Sequence, residues 1–382
     1  MGPEFDVIIV GCGPAGATAG HLLAGSGHSV LMLDRATFPR TKLCGGLLSG
    51  KSTGILERLF GEPASMLKER GVIDYSSDHY EILAGSRSIY ERKTDIPFHF
   101  VKRERYDHYI LGHARKAGAE VREGDACIDF VQSQGEVVTA SGDAFSARCV
   151  VGADGIHSTI RTRFPENKVD RDWWKMNLAA AIETHVDRDA LPRYGDLDHP
   201  ALFYGTIPWG YAWLFPNSDR IVVGMGGLAW KNRGMLEKRF AGFLGLIDLE
   251  PGRDAISGWV VPYGCGLADP TWGTTLLVGD AGGYADPFFG EGIYFAHRTG
   301  ELAASAVHAW LEGGSAPGLA YKAAIREQVL PELTYGKLFR WFFFTSGVVT
   351  HPKLQQLILP LASPVLIDVI HGRRSYRWFR RK

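Results

Sequence analysis

The chain opens on a strand, a glycine turn, a helix and a second strand, a succession that few folds accommodate. The apolar run from Val7 to Val10 leads directly into Gly11-Cys12-Gly13-Pro14-Ala15-Gly16. From Ala15 to about Leu23 the sequence is rich in Ala and Leu and reads as a helix. Gly25 to Gly27 ends it, and Ser29 to Leu33 is a second strand closed by Asp34. Gly11 permits the tight turn, Gly13 lets backbone lie against a pyrophosphate, and Gly16 lets the helix pack close to the sheet. Pro14 and Ala15 begin that helix, whose free N–H groups and dipole favour anions. Asp34, with Arg35 beside it, stands where a carboxylate accepts from ribose hydroxyls. The spacing marks a dinucleotide site of Rossmann type, without separating FAD from NAD.

The rest of the chain narrows the choice. No second GxGxxG follows any strand and no CxxxxC pair follows the first unit, which argues against a layout with separate flavin and nicotinamide domains. Lys+Arg and Asp+Glu both total 42, and 45% hydrophobic with 22% charged residues is ordinary for a globular protein. That balance excludes a disordered chain, a collagen-like fibre and a polytopic membrane protein, and gives no basic excess for nucleic acid. There are 47 glycines and ten tryptophans, which suggests backbone turns pressed against a large flat or greasy ligand. Five cysteines without a CxxC predict neither a disulfide framework nor a metal site, and the default compartment is a reducing cytoplasm. No secretory leader is expected ahead of the first strand.

Four further clusters carry a resemblance. They are Phe38-Pro39-Arg40-Thr41-Lys42-Leu43-Cys44-Gly45-Gly46, then Arg103-Glu104-Arg105-Tyr106-Asp107 opening a helical run, then Gly152-Ala153-Asp154-Gly155 through Arg161, and last Gly279-Asp280-Ala281-Gly282-Gly283 continuing to Gly290-Glu291-Gly292-Ile293. In this order they resemble the single-Rossmann FAD proteins of the hydroxylase-like superfamily and, within it, the geranylgeranyl reductase family. The first matches that family's PxxKxCGG signature through Pro39, Lys42, Cys44, Gly45 and Gly46, with Leu47 following. The resemblance implies that Arg103 contacts FAD, that Cys127 meets the adenosine end through its backbone, and that Asp280 meets the ribityl chain. Gly290, Gly292 and Ile293 open a helix whose N-terminus can face the electron-rich edge of a flavin. Each cluster also has a plainer reading: Asp280 as a helix N-cap, Arg103 in a surface salt bridge, Asp154-Gly155 as a simple turn.

Two features favour reduction over oxygen chemistry. Flavin hydroxylases usually lack the Cys44-Gly45-Gly46 loop, and in the resembled family the cysteine lies near flavin and substrate. Cys44 is therefore the candidate catalytic residue; the plainer reading is a small buried hydrophobe. The second feature is Tyr211, Trp213, Phe215, Pro216 and Gly224, which match the family's YxWxFPKxxxxxxG signature, with Asn217 in place of its Lys. Alternation puts Tyr211, Trp213 and Phe215 on one strand face, as a wall for an apolar substrate or as ordinary sheet core.

The expected fold is α/β. A discontinuous FAD-binding domain (1–75, 100–170 and 270–310) carries an inserted antiparallel β-sheet as substrate domain (76–99 and 171–269). A helical segment with a basic tail follows (311–382). From Trp341 to Ile367 the one formally charged residue is Lys353, but Pro352, Pro360 and Pro364 argue against a straight spanning helix. Helices lying at a bilayer surface fit better, beside six basic residues in the last ten. The alternative is that they cap the substrate pocket. The expected activity is FAD-dependent reduction of isolated C=C bonds in an isoprenoid lipid, quinone tail or pigment chain, with NADPH or a reduced protein as donor. The expected location is the cytoplasm, at the inner face of a membrane. The rivals are a flavin monooxygenase or halogenase, disfavoured by the absence of His after Gly279-Asp280-Ala281, and a lipid-binding flavoprotein without turnover.

Overall fold

The structure is a computed structural model that describes residues 4–250, 256–348 and 351–377. Its first sheet contains the parallel strands Phe5–Val10, Val30–Asp34, Glu120–Glu123, Ala144–Gly152 and Thr275–Leu277. In space they run in the order third, second, first, fourth, fifth, so the sheet reverses direction beside Phe5–Val10. Ligand crevices in doubly wound sheets lie at that reversal, outside the strands' carboxyl ends.

Both faces of this sheet are covered, which is why Val7 to Val10 is apolar without alternation. Val7, Ile9 and Met32 pack on one face beneath the helices Pro14–Gly25 and Ile293–Leu311. Ile8, Val10 and Leu31 pack on the other, beneath an antiparallel meander containing Cys127–Val131 and Glu136–Thr139. The two helices approach so closely that a Cβ on Gly300 would overlap the Ala15 carbonyl oxygen. Buried His297 joins the same layer: its ring nitrogens lie 2.7 Å from Thr18 Oγ1 and 2.6 Å from Tyr106 Oη. Burial lowers its pKa to about 3, so it is neutral here.

The second sheet has eight strands, in the order Ile256–Pro262, Leu178–Asp187, Arg220–Leu228, Gly210–Pro216, Ala201–Tyr204, Ile73–Ala84, Arg87–Val101 and Leu47–Leu48. The sheet is antiparallel as expected except at one pair, Ala201–Tyr204 with Ile73–Ala84, which runs parallel and so corrects a purely antiparallel reading. Leu47–Leu48, which directly follows the Cys44-Gly45-Gly46 loop, pairs with Phe100 and His99, so the loop spans the two sheets. One face packs Ile182, Leu214 and Val223 against the helix Leu236–Leu246. The other face looks towards the first sheet.

The C-terminal part is helical: Pro317–Gln328, Leu330–Thr345 and Pro352–Ile370. Pro360 and Pro364 lie inside the last helix and do not divide it. Each removes one helical hydrogen bond, a cost of about 3 kcal/mol in an unsupported helix. Burial of Leu359, Leu366, Ile367 and Ile370 against an aromatic cluster holds the backbone from outside, at roughly 1.5–3 kcal/mol for each fully buried side chain. By length and composition alone Lys353–Ile370 could cross a membrane. The tail beyond Arg377, with Trp378 and Phe379, lies outside the described residues.

The Gly300 contact gives a direct test. Gly300→Val should lower stability by about 1–3 kcal/mol, the usual cost of overpacking. A thermal midpoint equal to that of the unchanged chain would contradict the close approach.

Candidate active site

A cavity of about 530 Å³ opens between the two sheets, within the usual ligand-site range of roughly 300–1,000 Å³. Of the residues given a catalytic, cofactor or substrate role from sequence, all but Gly16 line it. Gly16 sits one layer behind, where a Cβ would overlap the Gly11 carbonyl oxygen.

At the carboxyl end of the first sheet, Gly11 has φ +102° and its backbone lies against Ala153, so the turns after Phe5–Val10 and Ala144–Gly152 meet. The helix Pro14–Gly25 begins here with no side-chain cap and no acidic residue in its first turn. The helix Ile293–Leu311 also points an uncapped, acid-free N-terminus into the cavity. Asp34 holds the glycine turn, accepting from Cys12 N at 2.7 Å and Ala36 N at 2.9 Å. Asp154 Oδ2 accepts from Thr159 N at 2.6 Å and Ile160 N at 3.3 Å, while burial raises its pKa. Asp280 stands in a 3₁₀ turn, Gly279–Gly282, after the short strand, and Val278 occupies the N-cap position. Cys127 contributes at the cavity edge with its thiol near the Asp129 carbonyl (3.4 Å), and burial pushes the thiol up to about 12.

Arg103 is not in a surface salt bridge. It makes a buried fork to Asp107, Nε to Oδ1 at 2.8 Å and Nη2 to Oδ2 at 2.7 Å, and it also reaches the Cys44 side chain. Arg40 Nη2 shares Asp107 at 2.9 Å and lies 3.6 Å from where a Cβ of Gly13 would stand. Burial lowers the pKa of Lys42, whose ammonium lies 5.2 Å from the Trp259 ring centre.

The aromatic wall is built by strand register. Trp213 pairs with Gly224, and Gly224 pairs with Glu183 on the next strand. A Cβ on Gly224 would overlap the Trp213 indole, so the ring lies across the glycine. Trp213 stacks on Phe215 (6.0 Å, 27°) and meets Tyr211 edge-on (5.8 Å). The Tyr211 hydroxyl donates to the Phe289 carbonyl. Gly45 is pressed onto this wall: a Cβ there would come 2.7 Å from Phe215 Cδ2. Asn217 does not line the cavity. It occupies the turn after the wall strand, where its carbonyl accepts from Arg188 Nη2 at 2.8 Å.

Three charged residues at the cavity were given no role from sequence. Arg40 and Glu291 lie inside glycine-rich clusters, and that position is their signal. Glu291 accepts from Ser49 Oγ at 2.9 Å and Ser52 Oγ at 2.6 Å and pairs with Lys51 at 2.6 Å. Glu183 has a weaker signal, an acid in the apolar stretch Leu178 to Ile182 and beyond. It is 2% exposed and accepts from Cys44 N at 3.1 Å.

The cavity wall leaves Arg40 Nη1, Asp154 Oδ1, Trp213 Nε1 and Trp259 Nε1 buried without a hydrogen-bond partner among the described residues. Buried polar atoms are rarely left so, and together with two free helix N-termini they fit a long ligand with anionic and flat polar parts. FAD has both.

Comparison with known proteins agrees. The FAD binding domain family matches residues 4–209. The geranylgeranyl diphosphate reductase of Rhodobacter capsulatus is 30% identical over 331 residues, covering 81% of this chain and 77% of that protein. Digeranylgeranylglycerophospholipid reductase 1 of Methanopyrus kandleri is 30% identical over 328 residues, covering 78% and 79%. Among solved structures, a geranylgeranyl bacteriochlorophyll reductase-like protein of Thermoplasma acidophilum shares the fold with TM-score 0.72 at 22% identity, covering 96% of this chain and 91% of that one. A flavin-dependent brominase shares it with TM-score 0.70 at 19% identity, covering 96% and 93%. With an FAD-binding domain over more than half its length and reductase relatives over most of it, the chain belongs to the geranylgeranyl reductase family of FAD-dependent oxidoreductases.

Proposed function

We propose that the protein reduces isolated C=C bonds in the isoprenoid chain of a lipid, quinone or pigment. The observation that carries this reading is the seating of the Cys44-Gly45-Gly46 loop on the Tyr211, Trp213 and Phe215 wall, which places a thiol beside a flat apolar slot. The reductase activities of the Rhodobacter and Methanopyrus relatives support it.

The Gly11 to Gly16 turn, the N-terminus of Pro14–Gly25 and Arg40 would hold the pyrophosphate of FAD, with Asp34 and Arg35 at the ribose and Cys127 and Asp154 towards the adenosine side. Lys42, Gly45, Gly46, Leu47, Arg103, Asp280 and the turn Gly290 to Ile293 would surround the ribityl chain and ring. Bound and reduced by an external donor, a nicotinamide or a reduced protein, the flavin supplies hydride. Cys44 holds the second hydrogen at Sγ and delivers it as a proton to the other alkene carbon. Tyr211, Trp213 and Phe215 orient the chain and keep water away from an alkene that has no activating group. Gly45 lets the loop backbone lie close to both partners.

The lipid would enter beneath the helix Pro352–Ile370, whose Ile367 and Ile370 line the cavity. On the same helix Leu357 and Leu361 are 63% and 72% exposed and offer a contact for a bilayer surface. Replacing both by Glu should abolish co-sedimentation with anionic liposomes without changing FAD content; unchanged co-sedimentation would remove this helix from membrane contact.

Two substitutions test the site. Cys44→Ala should retain FAD and lose turnover by about 10²-fold or more, the range for a general acid. A fully active variant would return Cys44 to a packing role. Gly224→Ala displaces the Trp213 indole and should raise KM for a geranylgeranyl lipid with FAD content unchanged; an unchanged KM would separate the wall from the substrate. In the unchanged protein, anaerobically reduced flavin should regain its oxidised absorbance on mixing with such a lipid. Flavin that stays reduced would contradict the proposal.

A further inference from the structure

The cavity-facing side of Leu178–Asp187 carries Ala179, Ala181 and then Glu183. A carboxylate with 2% exposure on this face is costly unless it is partnered. Oε1 accepts from Cys44 N at 3.1 Å and from His185 Nε2 at 3.2 Å. His185, two residues further along the same face, is 39% exposed. Its other nitrogen, Nδ1, lies 3.4 Å from Arg220 Nη1, which leaves the Nε2 hydrogen directed at Glu183. A solvent-reached imidazole thus meets a buried carboxylate, which in turn meets the backbone amide of the residue bearing the active thiol.

We propose that Glu183 and His185 form the route by which a solvent proton reaches Cys44. The inference rests on the reading of Cys44 as the proton donor to the alkene. In that step the S–H bond breaks and a C–H bond forms at the carbon that does not take hydride from reduced flavin. His185 then takes a proton from water at Nδ1 and passes its Nε2 proton to the Glu183 carboxylate, and Glu183 hands it to the thiolate. The alkene gains one hydride and one solvent proton; Cys44 returns to the thiol and Glu183 to the carboxylate, and the exposed His185 ring returns to its Nε2–H form by exchange with water.

The neighbours permit this traffic. Opposite Glu183 stand Gly224 and Ser257, neither ionisable at ordinary pH. On the loop side lie Cys44 and, against it, Arg103. Around His185 the charged group is Arg220, itself near Asp219 at 3.4 Å and Glu104 at 3.8 Å. Glu183 and His185 act through Cys44 and are positioning and relay residues.

The test uses the FAD-loaded protein and two readouts. Glu183→Gln keeps an acceptor oxygen for both hydrogen bonds but removes the charge and the capacity to carry a proton. The pH profile of Cys44 alkylation by iodoacetamide, followed on its own peptide by mass spectrometry, should move to lower pH by about one unit, as expected when a nearby negative charge is removed. Turnover of a geranylgeranyl lipid should fall by about 10-fold or more with KM unchanged. His185→Ala should also slow turnover, and added imidazole should restore it. An alkylation profile that does not move in Glu183→Gln, or slow turnover of His185→Ala that imidazole leaves unaltered, overturns the relay. If the unchanged protein turns over no isoprenoid lipid, the proposed function fails on that ground, while the alkylation profile still decides whether Glu183 is coupled to Cys44.

Discussion

The indole of Trp213 lies across the backbone of Gly224, and the cavity is assembled around that contact. A side chain at Gly224 would lift the ring off the sheet. With the ring down, Phe215 stacks on it and Gly45 can approach Phe215 at contact distance. The loop carrying Cys44 is fixed at both ends: Leu47–Leu48 is hydrogen-bonded into the second sheet, and the Cys44 amide is held by Glu183. One glycine on a neighbouring strand therefore sets the height of the thiol above the aromatic wall. Aromatic packing of this kind is worth about 0.5–1.5 kcal/mol per pair beyond area burial, so several pairs acting together make the wall stiff.

Electrostatics complete what packing begins. Two helices aim uncapped N-termini at one space without an acid in either first turn. Arg40 and Arg103 converge on a single fully buried carboxylate, Asp107, which holds both guanidinium groups in place. Removing Asp107 would leave buried Arg103 and half-buried Arg40 with one partner fewer, a larger penalty than the pair itself contributes. The positive end of the cavity is thus built into the protein before any anion arrives.

Much of this was legible in the residues. The Gly11 to Gly16 turn could be placed because its glycines answer to local geometry and because a strand and a helix flank it. Tyr211, Trp213 and Phe215 could be put on one face because alternation along a strand is a local property. Registers between strands are not local, which is why Gly224 matched a signature without a reason until it was seen beneath Trp213, and why Glu183 went unnoticed. The plainer alternative for Arg103, a surface pair, could not be set aside beforehand because the i,i+4 spacing to Asp107 carries no information about depth. The prolines argued against one straight helix from Trp341 to Ile367, and the stretch is divided between Leu330–Thr345 and Pro352–Ile370. Pro360 and Pro364 nonetheless sit within the second because packing around Leu359, Leu366 and Ile367 outweighs two missing hydrogen bonds. The lysine expected at 217 is absent, and Asn217 proves to serve a turn rather than the cavity.

The central claim is that the site adds hydrogen to an isoprenoid double bond rather than oxygen. It is tested most directly by the mass of the product when chemically reduced protein meets a geranylgeranyl lipid without air, with a parallel sample in air with NADPH. The account predicts a gain of two hydrogens for each double bond reduced, in the absence of oxygen. A gain of one oxygen atom, seen only in air, would contradict it and place the protein among the monooxygenases that share its fold.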